Sequence, residues 1–131
     1  MSEAEIKQRI ENSRSRVTKV VFPNTTNHYH TLFGGTAMEL MDETAFITAT
    51  RFCRKKVVTI SSGRIDFTQP IPADTIIELI AEVVKIGKTS LEVKVDIFQE
   101  DMYEENTKEK SISGVFTFVA LDENNKPTPV L

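Results

Sequence analysis

The sequence predicts an α+β fold: a curved antiparallel five-stranded sheet wrapped around one long central helix. Three observations predict it. A helical pattern running to Cys53 from the glycine pair Gly34-Gly35 is apolar over much of its circumference, so it must be wrapped on several sides. Strand-like runs follow it, joined by short turns that favour antiparallel pairing. One further strand-like run precedes it, and a lone long helix has to bury its apolar arc against the resulting sheet.

Each element has its own local reason. Glu3 to Asn12 reads as a short helix with Ile6 and Ile10 four apart, within a peripheral N-terminal segment, residues 1–14. Ser15 to Phe22 reads as a strand rich in β formers (Val17, Val20, Val21, Phe22), stopped by Pro23. A polar loop then leads from Pro23 to the glycine pair Gly34-Gly35, which opens the long helix. At about 100° per residue, Met41, Phe52, Ala45, Met38, Ala49, Cys53 and Phe46 share one arc of it. Leu40 and Ile47 form a second apolar strip on the far side. Arg54-Lys55-Lys56 closes the helix, with cations where the dipole is negative.

Val57 to Thr68 is the second strand, and Gly63 inside it predicts a bulge or a close backbone approach. Gln69 to Asp74 is a turn. Thr75 to Ile86 is a third strand, nearly continuously apolar, and Gly87-Lys88 reverses it. In the fourth strand Leu91, Val93, Val95 and Ile97 face one side while Glu92, Lys94 and Asp96 face the other. Glu100 to Lys108 reads as a polar connection, Ser111 to Leu121 as the fifth strand, and 122–131 as a tail. The whole chain, 1–131, reads as one domain.

Composition narrows the function classes. With 131 residues, 40% of them apolar and 27% charged, the chain can build one real core. A net charge of −3 argues against a nucleic-acid partner. The single cysteine, Cys53, excludes an internal disulfide framework, and its place on the apolar arc makes it a core residue first. Met1 to Asn12 is charged and has no apolar core, unlike a signal peptide, and no apolar run approaches a membrane span. The expectation is a cytoplasmic protein that engages no membrane.

The chemistry concentrates at the start of the long helix. Asp42 is the one charge inside the apolar arc; Glu39 and Glu43 lie just outside it. An ionised carboxylate facing apolar packing is costly unless partnered or used. The plain alternative is that Asp42 sits at the edge of the arc and reaches water. Gly34 and Gly35 put bare N–H groups at a helix N-terminus, which attracts anions and developing oxyanions. The Asn, Thr and His side chains upstream complete what looks like a site.

Several segments carry a family resemblance. Asn27-His28-Tyr29-His30-Thr31-Leu32-Phe33-Gly34-Gly35, followed by Met41-Asp42-Glu43, resembles the hot-dog acyl-CoA thioesterases, bacterial and brain-type cytosolic. Val21-Phe22-Pro23-Asn24, Ile65-Asp66-Phe67 with Pro70-Ile71, Gly87-Lys88-Thr89-Ser90 and Phe116-Thr117-Phe118-Val119-Ala120-Leu121-Asp122 match as well. The resemblance spans about Thr18 to Val130. It implies hydrolysis of acyl-coenzyme A at a site between two hot-dog units, in a dimer or a trimer of dimers. It carries the catalytic pair onto Asn27 and Asp42, contributed by different subunits. Asp42 would be general base or nucleophile, Asn27 would orient water or carbonyl, and the N–H groups at Gly34 and Gly35 would hold the oxyanion. Lys88, Thr89 and Ser90, with Arg64 as a looser candidate, would meet the phosphates of coenzyme A. Coenzyme A is then part of substrate and product, and the scheme needs no separate cofactor and no metal. The segment His28-Tyr29-His30 is bulkier than in many relatives and bears on the acyl chain accepted.

Three alternatives stay open at the level of sequence. A hydratase or dehydratase would pair His28 or His30 with Asp42. A metal site would use the two histidines with Asp42 or Glu43. A binding module would hold acyl-CoA without turning it over.

Overall fold

The computed structural model describes residues 1–131. The elements are α1 (Glu3–Ser13), β1 (Ser15–Val21), a 3-10 turn (Pro23–Thr25), α2 (Gly34–Cys53), β2 (Lys56–Phe67), β3 (Thr75–Ile86), β4 (Ser90–Asp101) and β5 (Glu109–Leu121). The strands form one antiparallel sheet in the order β1-β3-β4-β5-β2. The first two strands therefore lie at opposite edges, and α2 carries the chain from one edge to the other. At 20 residues it is about 30 Å long, and it touches all five strands.

The inward faces of the strands supply the core. On β4, Leu91, Val93, Val95 and Ile97 are fully buried, as their alternation requires; β3 adds Ile77, Leu79, Ala81 and Val83. From α2 come Ala37, Met41, Ala45, Ala49, Phe52 and Cys53. The alanines let the helix lie close to the sheet. Gly114 of β5 marks the tightest approach, since a Cβ there would sit 3.0 Å from Ile65 and 3.3 Å from the tip of Met41. Burying one such side chain as large as Met41 stabilises the fold by about 1.5–3 kcal/mol.

Two members of the expected apolar arc stay out of the core. Met38 and Phe46 are 40% and 45% exposed. Met38 lines a cleft between α2 and the edge strand β2. The helix begins without a side-chain cap and ends at Arg54, whose left-handed backbone (φ 52°) lets its N–H close on the Thr50 carbonyl.

Other differences from the sequence reading have local causes. β4 runs on to Asp101, because the ladder to β3 continues through Gln99, Glu100 and Asp101. Gln99 is tolerated inside because its amide donates to the Pro70 carbonyl and to Ser111 Oγ. At Gly63 the ladder slips between Ser62 and Ile65, which is a bulge; the nearest atom to a Cβ there is 3.7 Å away, so no close approach demands the glycine. The tail returns to the sheet: the Thr128 N–H donates to the Ala120 carbonyl, the Val130 N–H to that of Lys88, and Val130 is fully buried. On the other side, α1 is capped by Ser2 and docks on the end of α2, with Arg9 stacked over Phe52 and bonded to its carbonyl. No helix is long and apolar enough to cross a membrane.

Candidate active site

The start of α2 is built to receive negative charge. Its first turn carries no acidic residue and no side chain caps it, so its leading N–H groups are free for a ligand. A Cβ on Gly35 would lie 3.0 Å from the Phe33 ring, so a side chain there would have to displace that exposed ring.

A cleft of about 440 Å³ opens beside this turn, lined by Gly35, Met38, Glu39 and Asp42 of α2 and by Thr59 to Ser62 of β2. Asp42 is half-buried in it. Its Oδ1 accepts a 2.8 Å hydrogen bond from Thr59 Oγ1, which orients the carboxylate, and no protein hydrogen bond takes up Oδ2. Asp42 is thus partnered on one oxygen and free on the other, which combines the two sequence readings. Thr59 was not singled out in the sequence: within Val57-Val58-Thr59-Ile60 it reads as an ordinary β former, and only the crossing of α2 over β2 reveals its role.

Asn27 is not among the residues lining this cleft. It sits in a tight loop pinched by the Thr26–Leu32 bridge and turned by His30 at φ 62°. Its Oδ1 accepts from the N–H groups of Tyr29 and Thr31 and from Thr31 Oγ1, at 2.9, 3.2 and 3.1 Å. Three donors on one oxygen fix the amide orientation and leave Nδ2 as a free donor. One chain therefore brings together Gly35, Asp42 and Thr59, and holds Asn27 ready elsewhere.

The other sequence-predicted residues scatter. Gly34 opens onto a separate cavity beside Phe67. Arg64, two residues past the cleft on β2, is exposed and paired with Asp66 at 2.6 Å. Lys88, Thr89 and Ser90 sit at the β3–β4 turn, where Ser90 pairs with Val119; the helix start lies over the Phe67–Ile112 end of the same sheet. Seven residues of β5 separate the two ends, about 23 Å. The backbones of Lys88 and Thr89 receive bonds from the tail and from β5. Lys55 and Lys56, which follow the helix, are tied to Pro129 and Asn125.

His28 and His30 are exposed, with His28 stacked on Tyr29 at 3.9 Å, and neither lines the Asp42 cleft. No cluster of three or more His, Cys, Asp or Glu side chains is arranged to hold a metal. Within one chain, neither histidine shares the cleft of Asp42, the partner that the hydratase reading needs.

A family model described as thioesterase superfamily matches residues 29–105, more than half of the chain. The chain belongs to the thioesterase superfamily. Among relatives, an uncharacterised acyl-CoA thioester hydrolase of Bacillus subtilis, YkhA, is 41% identical over 118 residues, covering 88% of this chain and 68% of that one. The fold is the hot-dog fold of this superfamily's solved acyl-CoA hydrolases. One from Staphylococcus aureus, in complex with butyryl coenzyme A and coenzyme A, matches at TM-score 0.88 and 39% identity, covering 92% of this chain and 73% of that one. A hexameric acyl-CoA thioesterase matches at TM-score 0.88 and 34% identity, covering 92% and 76%. The Staphylococcus enzyme has also been solved with an asparagine, an aspartate or a threonine replaced by alanine, at positions spaced 15 and 17 residues apart. Asn27, Asp42 and Thr59 of this superfamily member have the same spacing.

Proposed function

We propose that this chain hydrolyses the thioester of acyl-coenzyme A, at a site that two subunits complete. The observation that carries the reading is the Asp42 carboxylate, held by Thr59 on one oxygen and free on the other, beside an uncapped helix N-terminus.

The thioester carbonyl oxygen lies at the N–H groups around Gly35, where the helix dipole favours the charge it will gain. Asp42 Oδ2 takes a proton from a water as its oxygen attacks the carbonyl carbon. The tetrahedral oxyanion is held by the helix N–H groups and by Asn27 Nδ2, the amide end left free to donate. The C–S bond then breaks, the coenzyme A thiolate recovers the proton from Asp42, and the free acid leaves. Direct attack by Asp42 would give an anhydride instead; a carboxylate pinned by Thr59 and open to water supports the general-base route. The scheme uses only side chains and backbone of the protein and requires no cofactor or metal.

Asn27 reaches the reaction from the second subunit. β2 is a sheet edge of 12 residues, exposed along most of its length although it carries Val58, Ile60 and Phe67. Unpaired edges of that length with apolar side chains call for a partner. A dimer closed across β2, or three such dimers, sets the Asn27 loop of one subunit against Asp42 of the other. Lys88, Thr89, Ser90 and Arg64 then meet coenzyme A phosphates across subunits, since within one chain Lys88 to Ser90 lie at the far end from the glycines.

The test is thiol release from acyl-CoAs, acetyl to palmitoyl. The wild-type protein turns over part of this panel, and Asp42→Asn, nearly isosteric, stays folded and loses about a hundredfold or more in kcat. A folded Asp42→Asn protein with wild-type turnover would refute the role of Asp42.

A further inference from the structure

Asp42 does not stand alone in its cleft. Glu39, three residues earlier on α2, lines the same cleft and is exposed. Residues three apart on a helix are neighbours on its surface, about 5–6 Å between Cβ atoms. Beside the Gly35 backbone, the rest of the lining is uncharged: apolar at Met38, Ile60 and Phe116, hydroxyl-bearing at Thr59, Ser61 and Ser62. No Lys, Arg or His of this chain lines it. The salt bridges of the chain lie elsewhere, and none takes up Glu39. Asp42 has a partner in Thr59 and a task in the hydrolase reading. Glu39 has neither.

We propose that Glu39 acts as a charge filter: the site accepts acyl groups that are uncharged next to the thioester and rejects carboxylates. The inference rests on the hydrolase reading above and extends it to the class of acyl group and to release of the acid. A thioester group is neutral. Hydrolysis turns it into a carboxylic acid, which loses its proton at neutral pH. One oxygen of that acid is the former carbonyl oxygen, at the helix N–H groups. The other comes from the attacking water, so it lies on the side of Asp42. The helix N-terminus attracts this carboxylate as it attracts the oxyanion, and by itself would retain the product. Glu39, with Asp42 ionised again, opposes that at the second oxygen, and no cation on the cleft wall offsets the repulsion. The same repulsion meets a substrate whose acyl group carries a carboxylate one carbon from the thioester, as a malonyl thioester does. Two unit charges about 6 Å apart in water repel enough to weaken binding about threefold, and more where the cleft excludes water.

The experiment is calorimetric titration of two coenzyme A thioethers that cannot be hydrolysed, S-carboxymethyl and S-carbamoylmethyl coenzyme A. They have nearly the same shape and differ by one negative charge beside the sulfur. Wild-type protein binds the carbamoylmethyl compound more tightly. Glu39→Gln, an exposed and nearly isosteric change, narrows the gap about threefold by tightening the carboxymethyl compound alone. At about 1 M salt, where the screening length is about 3 Å, wild type and variant show the same gap. Glu11→Gln removes the same charge from an exposed site on α1, at the other end of α2, and leaves the gap as in wild type. Equal affinity of wild type for both compounds, no binding of either, or a gap that Glu39→Gln leaves unmoved would each overturn the assignment. So would both affinities shifting together in Glu39→Gln, or Glu11→Gln narrowing the gap as much. Acyl-CoA turnover measured in parallel separates the two claims. A gap that depends on Glu39 without turnover removes the hydrolase reading and keeps the filter; turnover with an unmoved gap does the reverse.

Discussion

Thr59 donates to Asp42 Oδ1, and in the proposed mechanism that bond leaves Oδ2 to take the proton from water. Hydrogen bonds to charged groups contribute about 1.5–3 kcal/mol. Thr59→Val keeps the shape and removes the donor, so kcat should fall about tenfold to a hundredfold with KM nearly unchanged. A steady-state comparison that finds only KM altered would assign Thr59 to substrate binding instead. Cys53 behaves in the opposite way, as a residue kept out of chemistry. Burial raises its thiol pKa, and Lys55 and Arg9 only partly offset this. A raised pKa leaves less thiolate near neutral pH, so Ellman's reagent should label native Cys53 far more slowly than unfolded chain. Rapid labelling of the native protein would contradict its buried place. Asp42 and Cys53 were both legible in the sequence, because a charge and a thiol inside an apolar arc stand out against their neighbours. Thr59 was not, because a threonine in a strand is unremarkable until α2 crosses it. Asn27 was legible only through family resemblance; its three-donor cradle depends on a loop that no periodicity describes.

At the scale of elements, helix and strands follow from hydrophobic period, and their edges follow from pairing. The alternation on β4 gave its buried face directly. Its end at Asp101 was hidden, because Gln99 and Glu100 look like loop residues until Pro70 and Ser111 satisfy the Gln99 amide. On α2 the sequence overstated the core, since Met38 and Phe46 share its arc yet stay exposed, Met38 in the cleft beside the open edge of β2. That edge carries the next prediction. Ile60 is 56% exposed on β2, so Ile60→Lys costs the monomer little core and places a charge on the proposed subunit contact. Light scattering should show wild-type protein larger than a monomer and the variant shifted towards monomer, with circular dichroism unchanged. An unaltered assembly would mean that β2 is not the contact.

At the scale of the whole molecule, the proposed site draws on more than one chain. Gly35, Asp42 and Thr59 share a cleft, while Asn27 is oriented by its own loop and stands apart from it. The contact strand proposed for a second copy was not legible, since sheet order cannot be read from strand order. The most direct measurement is subunit complementation. Asn27→Ala and Asp42→Ala proteins, each inactive alone, are mixed with differently tagged chains, and exchange is verified by native mass spectrometry. Each mixed dimer has one site lacking both residues and one site with both intact. Random exchange makes about half the dimers mixed, so activity should return to roughly a quarter of wild type if sites act independently. Verified exchange with no recovery would mean that both residues serve a site from one chain, and would contradict the shared active site.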